Sequence, residues 1–385
     1  MSAFAQVTIT GNLDFAGAQL TGSQAGAKGS TISSTIGVSS TSVINLDAIE
    51  DIGGGSKVQV HYGLDPRSLA NDALKVTNNN VSGASAASAG AAGSSATSVI
   101  NVPANTTTGL SRDEVYIGID SATFGKLMLG APNSIGLDTH STASPLGTGV
   151  GSGYAPQAST MTNAIVTTRY DRSVRYNSAP INGISVQLNY APGGDNANLV
   201  AGSGLNVAQQ YPNNRKATEF GLSYANGPLN ARFTNVSLAA QTNATGWYAI
   251  GSTGSGAAVN YVATKTNMLS ANYALGATTL YYGYTNGDLQ TSTTTATKGV
   301  STRYAVKYDA GSYAVTAQRT ALRSTTSDGT ATDSSVTGLR ADYPLSKTAK
   351  VYAGYEYWNT GATAGVTSTT TGDRKLTSIG LQKSF

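Results

Sequence analysis

The sequence has no cysteine. Disulfides, thiolate nucleophiles and cysteine-bound metals are therefore excluded, and passage through an oxidising compartment would find no thiol to oxidise. Charge is also scarce. Asp, Glu, Lys and Arg together make up 11% of 385 residues, where about 25% is ordinary. The 24 basic and 20 acidic residues leave a formal charge of +4. No basic run is longer than a pair such as Arg374-Lys375, so the chain offers no nucleic-acid footprint. Long apolar runs are missing too: none approaches the ~20 residues of a membrane-crossing helix. In place of charge stand Ser, Thr, Asn, Ala and 45 glycines, and Tyr (21) far outnumbers Phe (6) and Trp (2).

What the chain does have is a period of two. "QVTITGNLDFAG" puts Val7, Ile9, Leu13 and Phe15 on one face and Thr8, Thr10, Asn12 and Asp14 on the other. "KVQVHYGL" sets Val58, Val60, Tyr62 and Leu64 against Lys57, Gln59, His61 and Gly63. "TRYAVKYD" and "KVYAGYEYW" repeat the pattern with Tyr304, Val306, Tyr308, Tyr355 and Tyr357 on the apolar side. Alternation of this kind specifies strands with one apolar and one polar face. No segment shows a 3.6-residue stripe of helix length. The pattern predicts about sixteen strands, among them 6–19, 40–49 and 374–385. Their connections alternate between tight ("DIGGG", "SATFG", "NGP") and long, Ser/Thr/Gly-rich segments.

A packed sandwich would not bury a face of Ser, Thr, Asn, Gln, Arg and Asp, because desolvating such groups is costly. Around water the same face is natural. With lipid outside, every backbone group must pair, so the sheet must close. The predicted fold is an all-β transmembrane antiparallel barrel formed by residues 6–385. The last residues, "SIGLQKSF", read as the closing strand: Ile379, Leu381 and Phe385 share a face, and Phe385 is expected in the aromatic girdle at the membrane edge. Ala3-Phe4-Ala5 fits a signal-cleavage pattern, so residues 1–5 are expected to be a signal-peptide remnant, an ordinary N-terminus being the alternative.

In order along the chain, "QVTITGNLD", "AIEDIGGGSKVQV", "VYIGIDSATFGKLMLG", "RSVRYNSAPINGISVQLNYA", "YANGPLNARF", "ADYPLSKTAKVYAGYEYW" and the C-terminal Phe resemble the outer-membrane general porins of β-proteobacterial type. The resemblance covers essentially the whole chain. It implies a sixteen-stranded barrel in the outer membrane, a homotrimer in contact with lipid and lipopolysaccharide, and a third loop folded into the pore. It also implies passive diffusion of small hydrophilic solutes and ions. The chain departs from the family's arginine-lined constriction at Ala131, Val43, Asp47 and Asp113; Arg112 is adjacent to the last, and Arg169 is kept.

Strand parity places Lys57, His61, Arg169, Arg175, Arg303, Lys307, Arg340 and Lys350 in the lumen with Asp14, Asp47, Asp171, Glu219, Asp342 and Glu356. The third-loop segment 131–168 carries one acid, Asp138, and His140. The expected constriction set is Arg169, Arg175, Lys57, Asp138, His140, Asp47, Arg112, Asp113 and Arg340, with a weak anion preference. The plainer reading of these charges is pairing along the wall, as in Arg340 with Asp342 or Arg169 with Asp171. The two histidines lack metal-ligand spacing, "GGGSK" runs into a strand rather than a phosphate-binding helix, and no residues form a catalytic set. Trp247-Tyr248 reads as packing at the mouth. No cofactor and no enzymatic activity are expected. A surface adhesive protein and a substrate-specific channel are the alternatives.

Overall fold

The computed structural model describes residues 6–24, 27–39, 41–66, 112–152, 168–170, 172–192, 216–239, 241–245, 258–261, 264–290, 296–325, 329–360 and 373–385. The expected signal remnant 1–5, residues 153–167 of the third loop, Asp171 and Trp247-Tyr248 lie outside these.

The described residues form nineteen strands and one helix. These are β1 (Gln6–Gln24), β2 (Ala27–Val38), β3 (Val43–Gly53), β4 (Ser56–Leu64), β5 (Arg112–Ser121), β6 (Gly125–Ala131), α1 (Ile135–Thr142), β7 (Ser173–Asn177), β8 (Ile184–Ala191), β9 (Ala217–Asn226) and β10 (Leu229–Leu238). There follow β11 (Gln241–Thr245), β12 (Ala258–Tyr261), β13 (Thr264–Leu275), β14 (Thr278–Gln290), β15 (Ala296–Asp309), β16 (Ala314–Thr325), β17 (Ala331–Pro344), β18 (Ala349–Thr360) and β19 (Arg374–Ser384). Seventeen of the strands make one antiparallel sheet, and β11 with β12 make a separate hairpin.

The sheet closes because β1 pairs with β19 on one side and with β2 and β3 on the other. β3 meets the lower half of β1 and β2 the upper half, so together they fill one position and the barrel has sixteen. This enlarges the expected second strand, 40–49, by the whole of 27–38. "AKGSTISSTIGV" carries too few large apolar residues for its alternation to be read from sequence. Closure ends on the last residue: Phe385 N donates to Gly11 O at 3.0 Å and Gly11 N to Phe385 O at 2.9 Å. The Phe385 ring lies over Gly11, where any larger residue would collide with it.

Outward positions on β4–β9 are apolar and exposed, including Val60, Ile117, Leu129, Ile184, Leu188, Phe220 and Leu222. Inward positions are polar. The tight turn between β3 and β4 takes Gly53, Gly54 and Gly55 at φ 84°, 62° and 74°, a run only glycine accommodates without strain. Strand length varies around the ring: β6–β8 have 7, 5 and 8 residues, whereas β13–β18 have 12 to 14. About 9–11 tilted residues cross a bilayer, so the longer strands stand above it. Their outward tops turn polar accordingly, with the Arg323–Asp333 pair at 2.9 Å and the chain Asn235–Asn267–Asn286. No helix among the described residues is long and apolar enough to cross a membrane.

Candidate functional site

The segment after β6 turns onto the inner surface of the barrel. Asn133 bridges to Arg169, and Ser134 caps α1 by accepting from Leu137 N at 2.9 Å. The helix is unexpected from sequence because eight residues are too few to show a stripe. Its signal was local: a Ser N-cap directly after Pro132-Asn133. The helix packs on β8, β9, β10, β13 and β14. Thr139 bonds Thr234 at 2.6 Å, Asn272 Nδ2 donates to Thr142 O at 3.0 Å, and Arg303 Nη1 meets His140 Nε2 at 3.2 Å. The chain continues along the wall to β17 and β18, where Gly151 N donates to Glu356 Oε1 at 2.8 Å.

Glutamates hold this path. Glu114 accepts from Asn133 N (3.0 Å) and Nδ2 (3.1 Å). Glu219 accepts from Ile135 N (2.8 Å) and Gly136 N (3.1 Å), two of the N–H groups that a helix start leaves without partners, and from Asn189 Nδ2 (2.8 Å). Glu356 also takes Trp358 Nε1 at 2.8 Å. Glu219 and Glu356 are 1% and 3% exposed, so they touch the loop rather than open water. Glycine lets the loop lie flat: a methyl on Gly338 would overlap the carbonyl oxygen of Gly151.

The expected constriction residues divide between these surroundings. Arg175 is buried; its Nη2 pairs with Asp138 Oδ2, Nη1 donates to Asn133 O at 2.5 Å and Nε to Asn177 Oδ1 at 3.1 Å. Arg232 Nη1 lies 3.6 Å from the same Asp138 oxygen. Arg232 was not in the expected set, although the parity of β10 would have placed it inward. Arg169 pairs with Asp113; Asp171, its partner in the wall-pairing reading, lies outside the described residues. Arg340 is buried beneath the loop, bonded to Asp342 at 2.8 Å and to Val150 O at 3.4 Å. Lys350 reaches the same Asp342 oxygen at 3.1 Å. Arg112 begins β5, and Lys57 is exposed near the β3–β4 turn.

On β3–β6 the inner wall carries a different network. Asp47 Oδ1 accepts from Gln59 Nε2 at 3.0 Å and bonds His61 Nδ1 at 2.8 Å. The His61 ring stacks on Tyr116 at 5.2 Å, and Lys126 Nζ donates to Tyr116 Oη (2.8 Å) and Gln59 Oε1 (2.9 Å). Lys126 and Tyr116 were absent from the expected set. Among the described residues no cluster of His, Asp and Glu could hold a metal.

The sequence matches the family described as Gram-negative porin over residues 1–363. The chain belongs to that family. This porin is thus an outer-membrane β-barrel channel protein. No curated relative aligns with it. Its fold is similar to that of the anion-selective porin of Comamonas acidovorans (TM-score 0.63, 15% identity, 99% of this chain and 100% of that one). It is also similar to outer-membrane OmpT of Vibrio cholerae (0.64, 16%, 100% and 99%) and to Salmonella typhi OmpF solved with daunomycin (0.63, 12%, 100% and 100%).

Proposed function

We propose that this porin is a water-filled diffusion pore for small hydrophilic solutes and ions, narrowed by residues 131–168 and weakly anion-preferring. The observation carrying the sign is the position of Asp138. A single carboxylate lies between two guanidiniums, Arg175 and Arg232, which leaves that point of the lumen net positive. The preference is weak because most other lumen charges meet a partner of opposite sign or a loop N–H group, as with Arg169–Asp113, Arg340–Asp342, Glu219 and Glu356. Low-dielectric walls focus what remains. Assembly as a homotrimer in lipid and lipopolysaccharide belongs to the same reading, supported by the trimer form of Vibrio cholerae OmpT.

The test is the zero-current potential of single channels under a salt gradient. A small anion preference is expected, moving toward cations in Arg232→Glu. A strong cation preference in the unaltered protein would contradict the proposed sign. An unchanged potential in the variant would remove Arg232 from the permeation path.

A further inference from the structure

Where β1 meets β19, the first and last strands, the inner face carries small side chains. Ala16 stands opposite Gly380 and Ala18 opposite Ser378. Cross-strand contact between side chains, the usual reinforcement of a strand pair, is therefore slight at the place where the two ends of the sheet join. Tyr352 on β18 fills this gap. It is the partner of Gly380 on the other side of β19, and its ring lies over that glycine, where a methyl would overlap it. Its hydroxyl thereby crosses β19 and donates to Asp14 Oδ1 on β1 at 2.7 Å. The Arg340 guanidinium stacks on the ring, 3.7 Å from its centre.

The other Asp14 oxygen is met from the opposite direction. Asn12 pairs with Val43 on β3 and Phe15 with Val38 on β2, so the four residues 39–42 stand against two, Leu13 and Asp14. An excess of two keeps every side chain on its own face, where an excess of one would turn β2 inside out. The excess folds over Asp14. Thr41 Oγ1 donates to Asp14 Oδ2 at 2.5 Å, Ser39 N donates to Asp14 O at 2.7 Å, and Asp14 N donates to Ser42 Oγ at 2.9 Å. Gln382 Nε2 donates to Asn12 Oδ1 at 2.8 Å and Asn12 Nδ2 to Thr41 O at 3.0 Å, which extends the network from β19 to the same bulge. Asp14 is left fully buried.

We propose that Asp14 and Tyr352 are the two halves of a clasp that holds the closing seam shut from inside, tying β18 to β1 across β19, with the extra residues of the second strand as its cover. The partners lie 338 residues apart in sequence, so their bond forms only once the first and last strands have met. Opening the seam would expose two unpaired strand edges that lipid cannot satisfy, and the clasp adds to that barrier. Asp14, which parity alone places among the lumen charges, is withdrawn from permeating ions.

The experiment follows amide hydrogen exchange of the full chain, folded in lipid, by mass spectrometry. Tyr352→Phe removes one hydroxyl and nothing else. Amides of β1 and β19 should then exchange about tenfold faster, as the loss of a buried hydrogen bond to a carboxylate implies, while those of β9 and β10, half a turn away, keep their rates. Asp14→Ala should also speed exchange at the seam, and the double variant should exceed Asp14→Ala alone by nothing. Gly380→Ala touches neither partner but lifts the ring from its floor, and should match Tyr352→Phe. If Asp14→Ala does not fold, the other two variants decide. Unchanged exchange along β1 and β19 in Tyr352→Phe, or equal acceleration in β9 and β10, would overturn the clasp. So would effects of Asp14→Ala and Tyr352→Phe that multiply in the double variant. Conductance enters none of these measurements, so their outcome is independent of the pore reading.

Discussion

The inner wall from β9 to β18 and the inner wall from β3 to β6 come from the same alternating strands, yet most of their polar residues serve different ends. Along β9–β18 the third loop covers the wall, and Glu219, Arg303, Arg340 and Glu356 are nearly inaccessible. Glu219 and Glu356 fasten backbone N–H groups of the loop, Arg340 the Val150 carbonyl, and Arg303 the His140 ring. Along β3–β6 the described loop touches the wall at its start, where Asn133 meets Glu114, and Asp47, His61, Gln59, Tyr116 and Lys126 bond chiefly to one another across neighbouring strands. Tyr116 is buried, while the Asp47 and His61 side chains keep 19% and 13% of their surface. The strands differ to match: the loop leaves from the short β6 and β7 and rests on the long strands opposite. A lumen charge therefore means attachment to the loop on one side and cross-strand pairing on the other.

The sharpest way to break this contrast is Glu219→Ala. Two helix N–H groups and the Asn189 amide lose their acceptor. Each unmet buried donor costs roughly 1–3 kcal/mol, so the seating of the loop should weaken by on the order of 5 kcal/mol. Limited proteolysis should then cut within 135–152 while the barrel stays intact; unchanged resistance would show that Glu219 is not the anchor. Next in size is a test of outside against inside on a single strand. Ile117 points outward beside the inward Tyr116, and Ile117→Arg should cost about 2–4 kcal/mol near the bilayer midplane. Urea unfolding in lipid measures it, and a neutral result would move that strip out of the membrane.

Gly338→Ala should be milder, about 1–3 kcal/mol of overpacking, because the added methyl pushes the Gly151 carbonyl off β17. A changed single-channel conductance is expected; the same conductance would mean that residues 149–151 do not narrow the channel. Smallest is Asp47→Asn on the open side. It should leave conductance near its starting value and shift the zero-current potential a little toward anions. No shift would place Asp47 off the ion path.

The barrel was legible in the sequence because alternation is a local property: Val58–Leu64 and Val351–Tyr357 declare their outer faces residue by residue. Where large apolar residues thin out, as over 27–38, the strand formed by pairing with β1 and the pattern gave no sign of it. The constriction was legible only as a set of inward positions. Parity placed Arg175, Arg340, Glu219 and Glu356 on the correct face, but facing inward does not say whether a loop or water waits there. That depends on a segment that crosses to strands far away in sequence. Arg232 shows the same limit: its inward parity was available, yet its significance lies in Asp138, almost a hundred residues earlier in the chain. The capped helix Ile135–Thr142 was hidden because it is short and because, beside the local Ser134 cap on Leu137 N, two of its N–H groups are completed by Glu219 on β9.

Because the chain has no cysteine, one measurement addresses the division of the wall directly. Gln59→Cys on β4 and Gln318→Cys on β16 are each exposed to a charged, membrane-impermeant thiol reagent while single-channel current is recorded. Rapid modification with a drop in current at position 59, and little or none at position 318, is the predicted result. Equal modification at both positions, or faster modification at 318, would contradict a loop seated along β9–β18 with the open path beside β3 and β4.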